Sequence, residues 1–320
     1  MKKYKISVIT GVAGTIGSNL ARSLIKLGHF VYGIDDFSLG KKKNLKDLNN
    51  SKKFKMIICD VSNVKDLKKK ITFKKKIDYL WLLAANSDIK AGSRDKSVDL
   101  IKTFVTTKVS LDYFTKFLSR LSKIIFSSSS AVYGDIKSQL NEDIKLYNPI
   151  SSYGEFKLLS EIYLKNFCKK NNFKYIIIRF PNVVGLPLTH GVIFDFCRKI
   201  KGKKYLKVLG NGTQKKPYIY VKELISCMIF LMKKNTKFNL YLCGPNDNGI
   251  NVKKIANQVL KLSRSKKKII YGDKNYGWIG DVPIYNYNVK RLNKEGFIFK
   301  KTSLQAITKT IKEYLGNEEN

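Results

Sequence analysis

The stretch VITGVAGTIGSNLARSLIKLG, residues 8–28, sets glycines at 11, 14 and 17 between a short apolar run and a segment whose apolar residues recur at helical spacing. Glycine suits a backbone that must turn sharply or let another group approach closely. A strand, a tight loop and a helix in that order aim the first-turn amides of the helix at the space beyond the strand. With the positive end of the helix dipole, they make a place for a phosphate. The next apolar run ends in Asp35, 18 residues past Gly17, a carboxylate placed to accept hydrogen bonds from the ribose of an adenosine. Loop and acid together predict a dinucleotide site. A carboxylate at 35 also repels a 2′-phosphate, which favours NAD over NADP.

Outward from that unit, short β-branched and aromatic runs alternate with longer helical patterns, as in a parallel sheet with helices on both faces. Strands are predicted at 5–10 (KISVIT), 30–35 (FVYGID), 54–59 (FKMIIC), 77–83 (IDYLWLL), 123–128 (KIIFSS) and 174–180 (KYIIIRF). After Phe180 the rhythm turns irregular, with loops around PNVVGLPLTHG and GNGTQKKP. The expected fold is α/β: a Rossmann doubly wound parallel sheet with a smaller, interleaved C-terminal substrate-binding domain. Residues 1–180 form the sheet domain. A strand and helix within 217–237 return to it, and 181–216 with 238–320 build the smaller part.

A length of 320 residues suits one large or two closely joined domains. No apolar run approaches the roughly 20 residues of a membrane span, and the first residues carry too short an apolar stretch for a signal peptide, so the expected location is the cytoplasm. The cysteines at 59, 168, 197, 227 and 243 are scattered without metal-like spacing and are expected to be reduced core residues; no metal is expected. The formal net charge of +38 raises nucleic acid as a partner, but only seven of the 62 basic residues are arginine, the usual phosphate reader. The lysines stand in short runs between apolar segments, as solvated faces do, and neither a nucleic acid nor a membrane partner is expected.

In ISSYGEFKLLSE, residues 150–161, Lys157 follows Tyr153 by four positions at what reads as a helix start. Such residues share a helix face, so the lysine can sit beneath the tyrosine. An ammonium there favours the phenolate and draws the tyrosine down from roughly 10 toward neutrality, making a general base.

TGVAGTIG, GIDDFSLG, CDV, LLAAN, FSSSSAVYGD, SSYGEFK, RFPNVVG and GTQKKPYIYV occur in this order from near one end of the chain to the other. The chain thereby resembles the extended short-chain dehydrogenases, in particular the nucleotide-sugar epimerases and dehydratases, with the UDP-glucose 4-epimerase-like branch most similar. The resemblance implies a catalytic set of Ser129, Tyr153 and Lys157, with Ser128 and Ser130 as register alternatives for the hydroxyl. It places Gly11, Gly14, Thr15, Ile16, Gly17, Asp35, Asp60, Val61, Ala84, Tyr153 and Lys157 around NAD, with Asn86 or its neighbours beside them. For the sugar nucleotide it implies Ser129, Asn182, Val192 with Ile193, and Lys216. Lys216 and Trp278 stand where relatives commonly have phosphate-binding arginines, and the lysine loses the bidentate fork. Tyr285 falls where bulk limits the group at C2 of the hexose, and His190 is a loop residue. A homodimer is implied through helices near 94–119 and 152–170.

The activity these features favour is C4 epimerisation of a UDP-hexose through a transient 4-keto sugar. Alternatives are a 4,6-dehydratase, whose Asp-Glu pair is replaced here by Ser130 and Ala131, and a sugar-nucleotide reductase or dehydrogenase. Outside enzymes, the alternatives are an NAD-binding regulator or a basic nucleic-acid-binding protein.

Overall fold

The computed structural model describes residues 4–136, 138–202, 204–277 and 282–316. The chain divides into two compact units. One comprises the chain up to Val132, Ser152–Arg179 and Met228–Tyr241; the other comprises Tyr133–Ser151, Phe180–Cys227 and the chain from Leu242.

The first unit is built on a sheet whose strands are β1 (Ile6–Thr10), β2 (Phe30–Asp35), β3 (Phe54–Ile58), β4 (Tyr79–Leu82), β5 (Lys123–Ser129) and β6 (Lys174–Phe180). A seventh strand, Leu240–Leu242, completes the order Leu240–Leu242, β6, β5, β4, β1, β2, β3. The pairs β1–β2, β2–β3, β1–β4 and β4–β5 are parallel. The chain runs from β1 outward to β3 and then returns to the other side of β1, so the winding reverses between β1 and β4. In sheets of this kind, ligands bind outside the carboxyl ends of the strands at that reversal. The register places Thr10 beside Ile34 and Asp35 beside Ile58, aligning those ends along one edge. Val8, Ile34, Leu80, Ile124 and Ile177 lie in one buried cluster with Leu111, Phe114 and Leu164 from the covering helices. Strands such as β1 and β5, buried on both faces, read as continuous apolar runs, whereas β3 lies at the sheet edge and is only partly buried.

Two elements differ from expectation. Tyr218–Tyr220, expected to rejoin the main sheet, pairs instead in parallel with Asn182–Val184. The single helix expected near 94–119 is Lys96–Asp99, a π-helical turn at Leu100–Val105, Thr106–Phe114 and a closing 3-10 turn.

The second unit packs the helices Val192–Gly202, Val252–Leu262 and Ser303–Gly316 around Val184, Phe196, Leu206, Tyr218, Val259 and Ile307. All five cysteines are buried free thiols. Among the described residues no helix is long and apolar enough to cross a membrane, and no group of three or more metal-ligating side chains could hold an ion.

Candidate active site

Gly11, Gly14 and Gly17 form the turn from β1 into the helix Thr15–Lys26, but they are needed for different reasons. Gly11 has φ +74°, and a Cβ there would stand 2.8 Å from the Ala84 amide nitrogen. A Cβ on Gly17 would stand 2.3 Å from the Gly11 carbonyl oxygen. Gly14 meets only an ordinary contact, at 3.5 Å from that oxygen. The fold's own packing therefore demands glycine at 11 and 17 but not at 14. Gly14 is the N-cap, no side chain caps this end, and no acid lies in its first turn, which begins with Thr15 and Ile16. An uncapped helix start without a competing carboxylate suits an anion. Thr10 ties this turn to the end of β4 by accepting from the amides of Leu83 (3.2 Å) and Ala84 (3.3 Å).

Asp35 is buried, and its carboxylate clasps the loop. Oδ2 accepts from the Ala13 amide and Oδ1 from the Phe37 amide, each at 2.9 Å. Burial pushes its pKa up, and these two amides oppose that. Each oxygen has another lone pair for a ribose hydroxyl. Beside it Asp36 accepts from Lys102 Nζ at 2.9 Å, and that nitrogen lies 4.0 Å from Asp60. Asp60 accepts from the Ser62 amide and hydroxyl, and the adjoining Val61 is buried. Asn86 differs from its expected role. It is 2% exposed, its amide group donates to the Asp88 carbonyl and to Asp99 Oδ1, and its oxygen accepts from the Asp88 amide. Its side chain is committed to its own loop.

Tyr153 and Lys157 lie on the helix Ser152–Asn171, whose buried face runs Ser152, Lys157, Ser160, Glu161, Leu164, Cys168. That face is polar where it begins and apolar where it ends. Lys157 is 2% exposed, donates to the Ser127 carbonyl at 2.8 Å, and has Nζ 5.9 Å from the Tyr153 ring centre and 4.8 Å from that of Phe126. Of the three serines, Ser129 is the one hydrogen-bonded to Tyr153. Ser128 instead donates to Glu161 at 2.5 Å, and Ser130 is buried.

The electrostatics correct the expected tyrosinate. Burial pushes Tyr153 up to about 12, helped by the charge of Asp99 and opposed by the Ser129 hydrogen bond. Burial brings Lys157 down to about 7, with Glu161 and Asp99 opposing. Helical spacing brings the two together, and desolvation is the largest cause of both shifts.

In the second unit, Asn182 is exposed at the start of its short strand. Val192 opens a helix and is half-buried, whereas Ile193 is 1% exposed in the core and has no surface to offer a ligand. Lys216 is half-buried and pairs with Ile250 in an antiparallel bridge. His190 is exposed and shares a hydrogen bond with Thr189. Tyr285 is 7% exposed, its ring centre 6.5 Å from that of Tyr287. Trp278 lies outside the described residues.

Residues 7–244 match the model of the NAD dependent epimerase/dehydratase family. The chain belongs to that family. It is 30% identical over 278 residues to UDP-N-acetyl-alpha-D-glucosaminuronate decarboxylase of Bacillus cytotoxicus, covering 83% of each chain. It is 28% identical over 228 residues to UDP-glucose 4-epimerase of Mycolicibacterium smegmatis, covering 70% of this chain and 72% of that protein. A crystal structure of UDP-galactose 4-epimerase is similar with a TM-score of 0.84 at 26% identity, over 98% of this chain and 99% of that one.

NAD is the cofactor of this epimerase/dehydratase family, and the residues present fit it: an uncapped helix start at a glycine and a buried carboxylate with spare lone pairs. Sequence reading missed Lys102, Asp99 and the Glu161–Arg179 pair. Arg179 donates to both oxygens of Glu161, at 2.8 and 2.6 Å, with both side chains at 0% exposure. Glu161 continues the spacing of Tyr153 and Lys157 by four residues, so its place on their face was legible. Nothing near Asp99 or Lys102 in the sequence announces their partners.

Proposed function

We propose that this family member interconverts C4 epimers of a nucleotide sugar, a UDP-hexose, through a transient 4-keto sugar. The observation that carries this reading is Ser129, at the end of β5, hydrogen-bonded to a Tyr153 that has Lys157 beneath it on the same helix face. The first unit holds the dinucleotide, through Gly11, Gly14, Thr15, Ile16, Gly17, Asp35, Asp60, Val61 and Ala84. The second holds the sugar nucleotide, through Asn182, Val192 and Lys216, with Tyr285 restricting the group at C2 of the hexose.

NAD, when bound, takes up and returns a hydride. The chain's own residues manage the proton. Lys157, brought down to about 7, is part protonated at neutral pH, and its ammonium beneath Tyr153 favours the phenolate when the tyrosine gives up its proton. The phenolate accepts the proton of the sugar 4-hydroxyl, which Ser129 orients, and gives it back after the keto sugar has turned over. Ala131 follows Ser130 where elimination needs an acid pair, which favours epimerisation over dehydration.

A second reading, decarboxylation of a UDP-uronate, is favoured by the identity to the Bacillus cytotoxicus decarboxylase. It shares the first oxidation at C4, after which a 6-carboxylate β to the ketone leaves as CO2. Incubating the protein with UDP-, GDP- and dTDP-hexoses and UDP-uronates, and separating the products, distinguishes them. Epimerisation yields a C4 epimer without stoichiometric NADH. Release of CO2 with a pentose product, net production or consumption of NADH, or a 4-keto-6-deoxy sugar would overturn the epimerase assignment.

We also propose a homodimer. On the helix Ser152–Asn171, Leu159 (39%) and Ile162 (47%) face outward, and Ile101 on the π-helical turn is 46% exposed. Apolar residues on an outer helical face beside a polar inner one suit burial against a second copy.

A further inference from the structure

Asp99 is 0% exposed at the end of the helix Lys96–Asp99. Oδ1 accepts from Asn86 at 2.7 Å and Oδ2 from the Ser152 hydroxyl at 2.6 Å. Neither donor carries a charge. The enclosure is tight: a Cβ on Gly92 would stand 1.8 Å from Oδ2, and Ser152 also reaches the Gly92 carbonyl at 3.0 Å. A buried carboxylate met only by neutral donors is costly to a fold. This one touches the first residue of the helix that carries Tyr153 and Lys157.

With Tyr153 and Lys157 as the acid–base pair, as proposed above, we infer that Asp99 is their positioning residue. Through Ser152 it fixes the first turn of their helix, and its buried negative charge favours the ammonium form of the lysine. Glu161 also opposes the fall of Lys157, ahead of Asp99, but it is balanced by cations and does not reach Ser152. Glu161, one turn beyond Lys157, is matched by Arg179 of β6 and approached by Lys165 at 3.8 Å. From β5 come the neutral Ser129 hydroxyl and Ser127 carbonyl. Lys102 on the π-helical turn pairs with Asp36, and Arg94 at the end of the helix Ile89–Arg94 is exposed. On Thr106–Phe114, Asp112 is occupied by Lys108 and the Tyr163 hydroxyl. The charge of Asp99 opposes the fall of Lys157 and adds to the rise of Tyr153, as a carboxylate at this place must.

The test follows the lysine directly. In the NAD complex of protein labelled with 13Cε-lysine, the Lys157 resonance is identified by its loss in Lys157→Met, and its titration midpoint is read with no substrate present. Asp99→Asn keeps the shape and removes the charge, so the midpoint should fall by about one pH unit or more. A midpoint that stays or rises overturns the charge role. Ser152→Ala keeps both charges and removes the anchor, so kcat on the epimerised sugar should fall about tenfold with a smaller midpoint change than in Asp99→Asn. An unchanged kcat overturns the anchoring role, whether or not Asp99→Asn folds. Tyr153→Phe separates the two levels: full turnover in that variant rejects the acid–base pair itself, while the lysine titration still reports on Asp99.

Discussion

Replacing Lys157 with Met should abolish turnover and make the protein more stable at pH 7. The side chain is 2% exposed and its pKa falls from 10.5 to about 7. Below pH 7 the lysine is protonated in folded and unfolded chains alike, and the folded state bears the full cost of burying an ammonium. Between 7 and 10.5 the unfolded chain binds more protons, so unfolding free energy rises with pH; above 10.5 the cost is gone. A fall of that size corresponds to about 5 kcal/mol in all, of which about 2 kcal/mol is relieved between pH 7 and 9. Methionine keeps the length of the chain and removes the titration, at the loss of the hydrogen bond to the Ser127 carbonyl, about 1 kcal/mol. Lys157→Met should therefore exceed the wild type by about 3 kcal/mol at pH 7, and that margin should shrink by about 2 kcal/mol at pH 9. Urea unfolding of both proteins, stripped of dinucleotide, at the two pH values measures it. A margin that stays constant or grows with pH would mean that the folded lysine is not depressed.

Tyr153→Phe keeps the ring and removes the proton acceptor, so kcat should fall by roughly 10² to 10⁴ while NAD affinity, measured by calorimetry, persists. Asp35→Ala should narrow the preference for NAD over NADP and weaken both, because the same carboxylate clasps the Ala13 amide; competitive titrations with the two dinucleotides would reveal an unchanged ratio if the residue plays no part. Ile162→Glu places a charge on the outward helical face, and light scattering should find a shift from dimer to monomer.

Six strands could be read from the sequence because each is a short run rich in β-branched, aromatic or other apolar residues, as KIIFSS and KYIIIRF illustrate. Leu240–Leu242 escaped because three residues carry no period, and its membership depends on β6 being there to pair with. The partner of Tyr218–Tyr220 was equally invisible, since a strand's composition does not name its neighbour. In the candidate site, the glycine loop, Asp35, Tyr153 and Lys157 are spaced along one local unit each, and spacing is what a sequence displays. The Asn86 amide can serve a ligand or its own loop with identical chemistry, and only the fold commits it to Asp88 and Asp99. The Tyr153 pKa failed for a related reason: helical geometry gives neighbours, whereas desolvation is set by everything else packed around them.

The helix Ser152–Asn171 carries its polar residues inward and several apolar ones outward over its first half, the reverse of what hydrophobic collapse alone would select. Turned about its axis, it would bury Leu159 and Ile162 and expose Lys157 and Glu161, a competing arrangement that burial of apolar surface alone would favour. What breaks the tie is directional. Glu161 can meet Arg179 and Ser128 at once in only one rotation, and Leu164 with Cys168 then seat the far end. The helix therefore has to wait for β5 and β6 before it can settle. During synthesis that delays its docking until residue 179 has emerged, and until then Leu164 and Cys168 have no core to enter.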